Sequence, residues 1–409
     1  MKKIRLLLNF FFESEYKFTL PKKKKIIIFD EDSLYFFKDI FNHTDYYTLH
    51  IRKHIIYPTI LIKSFFIHKL KWNTYKYGIE IINFIEPKIV ITHNDNESFF
   101  WKIKSFVNKN VKTIFIQNGY RNYNNDVFEK VDNENFIKKD HFVDYFFTFS
   151  EDMKNKYLEY LNGQGIVLGS FRSNRVPIKK DYKNKKDILF ISEFAPSNLL
   201  SSPCALERYW KPENFHLPIV KQFALDNNLK LKILGKLRRN SIYRNEEKFF
   251  FEKILGKKNW EYVESNYHHE CYTKIDQSKI IVYVSSTLGY EAITRGIPTA
   301  ALCTRQFAEG QKDLFFAWPS QLPNKNQFAT NTHNENEVLK ILNYLNDLKD
   351  GEWTDTTKNL NKYFLHFDKN NSAFYQILEE LEIPHNKNDK EISSFQLAKS
   401  IKMQRGFIK

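Results

Sequence analysis

The chain of 409 residues has little cysteine: Cys204, Cys271 and Cys303 only, far apart and odd in number. That excludes a disulfide framework and fits a reducing cytoplasm. No Cys/His spacing suits zinc, and the adjacent His268 and His269 cannot both face one ion from a helix. No run approaches the ~20 apolar residues that span a bilayer. Residues 1–12 begin basic and turn apolar, but the run is short and Glu13 follows with no small-residue cleavage site, so it does not read as a secretory signal. Internal repeats, an Arg-rich arm and an RNA-binding signature are all lacking, so a nucleic-acid partner is not expected. No Asp-x-Asp element stands at a strand end, and no metal or other cofactor is expected.

What is present is a globular, basic chain. Hydrophobic residues make up 42%, enough for two domains with their own cores. Aromatic content is 16%, with 38 Phe and 23 Tyr, and much of it accompanies the Lys, Asn and Ile of AT-rich codons. The formal net charge of +15 is spread along the chain as lysine. A scattered excess of this kind is either a solvated surface or an attraction to anionic membrane and substrate.

The most informative stretch is residues 279–300. Residues 280–284 form a short β-branched apolar run, the pattern of a buried parallel strand. Ser285, Ser286 and Thr287 then stand where a helix begins and can accept its free amide hydrogens. Gly296 closes that helix and Pro298 prevents its continuation. A helix start attracts phosphate through its unpaired N–H groups and positive dipole end. The hydroxyls add donors, Gly289 would admit a ligand close to the backbone, and Glu291 could accept from sugar hydroxyls. An ordinary capped helix would show the same Ser-Ser-Thr; the combination with Gly289, Glu291 and Gly296-x-Pro298 favours a nucleotide site.

The pattern Ser285-Ser286-Thr287-x-Gly289-x-Glu291-Ala292-x-x-x-Gly296-x-Pro298 resembles the nucleotide-binding loop of GT-B glycosyltransferases. It is closest to bacterial surface-carbohydrate enzymes that use CMP-activated ulosonic acids, the Kdo transferases of lipopolysaccharide and capsule. Ile116-Gln117-Asn118-Gly119-Tyr120-Arg121 and Leu168-Gly169-Ser170-Phe171-Arg172-Ser173-Asn174 resemble further segments of that family, and the likeness covers most of residues 25–310. It implies an α/β fold of GT-B type, two Rossmann-like domains facing across a cleft, with carboxy-terminal helices that cross back to the first domain. Many related CMP-sugar enzymes carry a His-Pro pair near residues 235–240, and this chain does not.

Taken in order, the chain alternates strands and helices, as a mostly parallel sheet requires. Strands are expected at 26–30, 46–51, 87–92, 111–116, 143–149 and 165–168, with helices at 60–70, 75–85, 99–108 and 151–162 between them. Ligands bind beyond the carboxyl ends of such strands. His93, Asp95, Asn96 and Glu97 follow the third strand as candidate sugar or acceptor contacts, although Asp95 or Asn96 could simply cap the next helix. Gln117, Asn118, Gly119 and Arg121 follow the fourth; Asn-Gly is also a plain turn signal, while Arg121 could grip a carboxylate bidentately.

A polar hinge at 179–186 precedes a second set of strands. Glu193 follows the first of these, either a solvated loop carboxylate or the nucleophile or base that glycosyl transfer needs; it is the leading catalytic candidate, and Asp95 is the reserve. Lys236, Arg238 and Arg239 follow the strand at 229–234, placed to balance phosphate or carboxylate. A helix is expected at 216–227 and later ones at 335–348, 356–367 and 372–381. Domains are expected at 1–180 and 187–350, with helices and tail at 351–409. Ile401, Phe407 and Ile408 among the tail's lysines could touch a membrane, although a frayed terminus is the expected reading.

The expected activity is transfer of an ulosonic acid, Kdo first, from a CMP donor to a sugar hydroxyl of a surface glycan, free or lipid-linked, at the inner face of the cytoplasmic membrane. Ser285, Ser286, Thr287 and Gly289 would cradle the phosphate and Glu291 the ribose. The alternatives are another donor, a UDP-hexose or a CDP-polyol, and a non-enzymatic basic binding protein.

Overall fold

The structure, a computed structural model, describes residues 10–51, 55–121, 126–134, 137–178, 185–196, 203–237, 241–264, 269–304, 322–323, 325–360 and 363–386. The chain divides into two compact units. The first comprises Met1–Asn118, Asn125–Phe171 and Asp368–Lys409; the second comprises Gly119–Asn124 and Arg172–Phe367.

In the first unit a two-residue strand β1 (Glu15–Tyr16) is followed by β2 (Ile26–Phe29), β3 (Tyr46–Leu49), β4 (Ile55–Ile56), β5 (Ile89–Thr92), β6 (Lys112–Ile116), β7 (Phe142–Thr148) and β8 (Asn162–Val167). β1 pairs with β4 apart from the main sheet. The six-stranded sheet runs β3-β2-β5-β6-β7-β8, every pair parallel. Continuous apolar runs such as Ile26–Phe29 form its centre because both faces are covered. One face packs helix α1 (Glu31–Phe37) and, from the far end of the chain, the helix at Ser372–Glu380. Phe374, Tyr375 and Leu378 of that last helix share a core with Ile26, Ile89, Ile114 and Phe147. The carboxy-terminal helix thus returns to the first unit, as the resemblance implied. The helices expected at 60–70 and 75–85 are α2 (Pro58–His68) and α3 (Thr74–Ile85). The one expected at 99–108 is instead a short 3₁₀ run, Phe100–Ser105, that buries Phe100, Trp101 and Ile103. α4 (Val127–Asn133) lies between β6 and β7, and α5 (Glu151–Tyr160) between β7 and β8.

The second unit contains β9 (Asp187–Ile191), β10 (Lys230–Leu234), β11 (Glu261–Val263), β12 (Ile280–Tyr283), β13 (Thr299–Leu302) and β14 (Ala329–Thr330). Its sheet runs β11-β10-β9-β12-β13-β14, again all parallel. Counted within the unit this is the order 3-2-1-4-5-6 of a dinucleotide-binding fold, whose ligand crevice opens between its first and fourth strands, here β9 and β12. The crossovers include α6 (Pro203–Asp226), α7 (Arg244–Leu255), α8 (Glu270–Gln277) and α9 (Thr287–Thr294). α6 begins well before the expected residue 216 and runs through Pro212 and Pro218. Burial of His216, Leu217, Val220, Phe223 and Ala224 along one side outweighs the lost backbone bonds. Past β14 come α10 (Glu335–Asp347) and α11 (Glu352–Lys358), and α12 is the Ser372–Glu380 helix of the first unit. The helix expected at 356–367 is α11, displaced towards the amino terminus because Gly351, at φ +87°, starts it and Asn359 ends it.

Candidate functional site

β12 ends in a wholly buried tyrosine, Tyr283, and the chain turns at Ser285 into α9. Each hydroxyl of the turn has its own partner. Ser285 donates from both its backbone nitrogen and its Oγ to one carboxylate oxygen of Glu193, each at 2.7 Å. Ser286 is the N-cap, its Oγ accepting from the Leu288 nitrogen at 3.3 Å. Thr287 Oγ1 accepts from the Tyr120 nitrogen at 3.2 Å, and the Tyr120 ring stacks on that of Tyr290 at 4.7 Å and 8°. The turn is therefore held rigid, yet Ser286, Thr287 and Leu288 stay half-buried while Ser285 and Gly289 are buried. Gly296 closes the helix at φ +80°.

Glu193 follows β9, so its bond to Ser285 crosses the crevice between β9 and β12. This carboxylate braces the hydroxyl turn. The same backbone carbonyl of Glu193 accepts from Tyr209 Oη at 3.1 Å and from the exposed Lys236 Nζ at 3.5 Å. Arg238 and Arg239 lie outside the described residues.

Gly289 carries a correction. A Cβ there would overlap the ring atoms of Tyr283, so the glycine makes room for a side chain of the sheet and not for a ligand. Glu291, on the next turn of α9, is 4% exposed. It lies near the thiol of Cys271 on α8, which burial first and the Glu291 charge second push up to about 12.

Two buried acids that sequence reasoning missed support this site. Glu247, on α7 and fully buried, accepts from Ser192 Oγ (2.6 Å), the Lys236 nitrogen (2.8 Å), the Leu237 nitrogen (3.1 Å) and Tyr262 Oη (2.7 Å). It fixes the loops after β9 and β10 and the end of β11 together. Burial and this neighbouring charge hold the Tyr262 hydroxyl well above the usual tyrosine range. Asp276 on α8 receives Arg295 Nε at 2.8 Å and NH2 at 2.5 Å. The remaining guanidinium donors reach Ser173, Val176 and Pro177, so the buried ion pair ties the entry of the second unit to α8 and α9.

The candidates of the first unit fare differently. Asp95 is 1% exposed; its oxygens accept from the Asn118 nitrogen at 2.9 Å and from Tyr157 Oη, and its carbonyl accepts from Trp101 Nε1. In this structure it serves as an internal brace between the loop after β5, the loop after β6 and α5. Gln117 is likewise buried, its Oε1 accepting from the Phe149 nitrogen at 2.8 Å, so it ties β6 to β7. Asn118 contributes its backbone to the Asp95 brace, Asn96 is exposed, and Gly119 and Arg121 belong with Tyr120 to the second unit, Arg121 half-buried. His268 lies outside the described residues, as does the tail with Ile401, Phe407 and Ile408.

Two all-parallel α/β units, one in dinucleotide-binding strand order with a braced hydroxyl turn at its crevice, make up a fold of GT-B type. The chain belongs to the O-antigen biosynthesis protein family, whose model matches residues 114–382, and its work lies in surface-carbohydrate synthesis. No curated protein matches the chain by sequence. Among solved structures it is similar to the S. aureus MnaA–UDP co-structure, at 15% identity over 88% of this chain and 98% of that one, with a TM-score of 0.49. The Methanocaldococcus jannaschii UDP-GlcNAc 2-epimerase in complex with UDP-GlcNAc and UDP matches at 14% identity over 90% and 99%, TM-score 0.48. A variant of S. aureus TarM, in complex with Fondaparinux, alpha-GlcNAc-glycerol and UDP, matches at 17% over 74% of this chain and 58% of that one, TM-score 0.43.

Proposed function

We propose that the chain is a glycosyltransferase that binds a nucleotide-sugar donor at the β9/β12 crevice of its second unit and passes the sugar to a hydroxyl of a growing surface glycan. The observation that carries this is the braced turn: a helix start whose Ser286 and Thr287 remain half-buried at the switch point of a dinucleotide-type sheet. The donor phosphate would lie against the amide groups and hydroxyls of that turn. Glu291 would meet the ribose, and Lys236 would offset the phosphate charge. Glu193 acts as a positioning residue, since its carboxylate spends two hydrogen bonds on Ser285. The resemblance of the Ser285–Glu291 segment to Kdo transferases favours a CMP-activated ulosonic acid as donor, Kdo first.

Thermal stabilisation by CMP, CDP, UMP, UDP, GDP and AMP, with and without magnesium, tests this reading. A ligand at 100 times its Kd adds about 2.7 kcal/mol, which moves Tm by several degrees. A shift with CMP that magnesium does not change and Ser286→Ala abolishes is the expected result. A shift with UDP instead keeps the site and replaces the donor by a UDP-sugar. No shift with any nucleotide overturns the site.

A further inference from the structure

We infer that one face of the first unit is an interfacial surface for an anionic lipid bilayer, an inference independent of the donor. The face centres on α2. This helix turns Ile60 and Ser64 inward, and Trp72 Nε1 donates to Ser64 Oγ at 2.9 Å. Its outer side should then be polar, as surface helices are. Instead Ile62 (55% exposed), Phe65 (40%), Phe66 (76%) and Ile67 (51%) stand in solvent. The apolar surface continues beyond the helix. The Phe65 ring stacks on Trp72 at 4.4 Å, and Phe11 stacks on the same indole, next to Phe12 at 83% exposed. Pairing of β1 with β4 brings Phe18, 86% exposed, close to the start of α2. A contiguous exposed apolar patch on a folded unit marks an interaction site.

Charge selects the occupant. Residues 46–79 contain no Asp or Glu, and Lys63, Lys69 and Lys71 are exposed around the apolar residues. The acid nearest α2, Glu80, is buried and engaged by His68 and Lys63. Of the acids beside the amino-terminal aromatics, Glu15 in β1 is paired with Lys17, while Glu13, before it, is exposed. Exposed Phe and Ile side chains among lysines can enter the headgroup boundary while the lysines meet anionic lipid. A second copy of the chain would set these lysines against each other. α2 has 11 residues, far short of the ~20 that span a bilayer, and no described helix is long and apolar enough to cross one. The contact is therefore in the plane of the surface.

The test is sedimentation of the full chain with vesicles of phosphatidylcholine alone and of phosphatidylcholine mixed with phosphatidylglycerol. Binding is expected only to the mixed vesicles, and salt should weaken it. The Ile62→Ser/Phe66→Ser variant changes exposed positions only and should weaken binding about tenfold or more, with the circular dichroism of the wild type. Lys69→Glu/Lys71→Glu should weaken it on the order of tenfold or more. The proposal is overturned if the wild type stays in the supernatant with mixed vesicles at low salt. It is equally overturned if neither variant changes binding, or if sedimentation velocity shows a dimer that Ile62→Ser/Phe66→Ser dissolves, since a second copy would then cover the face.

Discussion

Each unit has a switch point, and the two are finished differently. In the first unit it lies between β2 and β5, and Asp30, at the end of β2, closes it. Asp30 caps α1 through the Ser33 nitrogen at 2.7 Å and accepts from Ser33 Oγ and Thr92 Oγ1. Ser33 Oγ in turn accepts from the His93 nitrogen, and the His93 ring lies 3.8 Å from Phe36 in a parallel stack. Asp30, Ser33, Thr92 and His93 are all buried. In the second unit Glu193 holds the corresponding position after β9, but it reaches across to Ser285 and leaves the next two hydroxyls half-buried. One topological position can thus be a sealed knot or a held-open turn. What decides is whether the carboxylate bonds its own helix start or the loop of the neighbouring strand, and whether an aromatic pair fills the space beyond. Topology nominates both places for a ligand; the proposed function gives that role to the second.

The comparison fails most completely if the foundation of the open site is removed. Asp276→Ala leaves Arg295 charged, 1% exposed and without its carboxylate. Breaking one side of a buried ion pair costs about 3–5 kcal/mol, the largest effect expected. Urea unfolding followed by tryptophan fluorescence should show the loss. A cost below about 1 kcal/mol, the range of exposed pairs, would show that the pair is solvated and that the entry of the second unit is anchored elsewhere.

Gly289→Ala comes next. Overpacking against the Tyr283 ring costs about 1–3 kcal/mol, partly offset by a helix-propensity gain of up to about 1 kcal/mol. The Tm should fall without ligand. If the glycine served a ligand instead, Tm would hold or rise while nucleotide binding fell. This residue also marks how far the sequence could be read. The strand at 280–284, the capped turn and the Gly296 stop were legible because periodicity, cap chemistry and positive φ are local. So were the parallel strands, from their unbroken apolar runs. The reason for Gly289 was not, because its neighbour Tyr283 belongs to the preceding strand and only packing brings them together. Glu247 was hidden for the same cause: nothing in Asn245-Glu246-Glu247 says which glutamate is buried or that its partners are at 192, 236, 237 and 262. Asp95 and Gln117 stood at strand ends, where ligand contacts and internal braces use the same residue types.

The two carboxylates themselves give a smaller but sharper contrast. Glu193→Ala removes two charge-assisted bonds that hold Ser285, each of a kind worth ~1.5–3 kcal/mol when charged. Part of that returns as the loop relaxes, so the nucleotide Kd should rise about tenfold, or ~1.4 kcal/mol, measured by calorimetry with whichever nucleotide stabilises the wild type. The equivalent change at Asp30 should leave that Kd where it was. Equal losses from both would mean that the first switch point is part of the nucleotide site.

Asp30→Asn has its own signature, in pH. Burial raises the Asp30 carboxyl from the ordinary 3.8, against the opposing hydrogen bonds from Ser33 and Thr92. A carboxyl raised in the folded state contributes its full stabilisation below the unfolded value, and that contribution is lost as pH rises through the folded one. Wild type should therefore lose stability relative to the variant as pH climbs above about 4. Asparagine cannot titrate there; its Oδ1 can still accept from the Ser33 nitrogen and its Nδ2 can donate to a hydroxyl, so the variant should stay within about 1 kcal/mol of wild type. Urea midpoints across the acid range would show the two curves drawing together or crossing. If wild type instead gained on the variant with rising pH, the hydrogen bonds would outweigh the burial, and the knot would be stabilised by its charge in the way the Glu193 brace is.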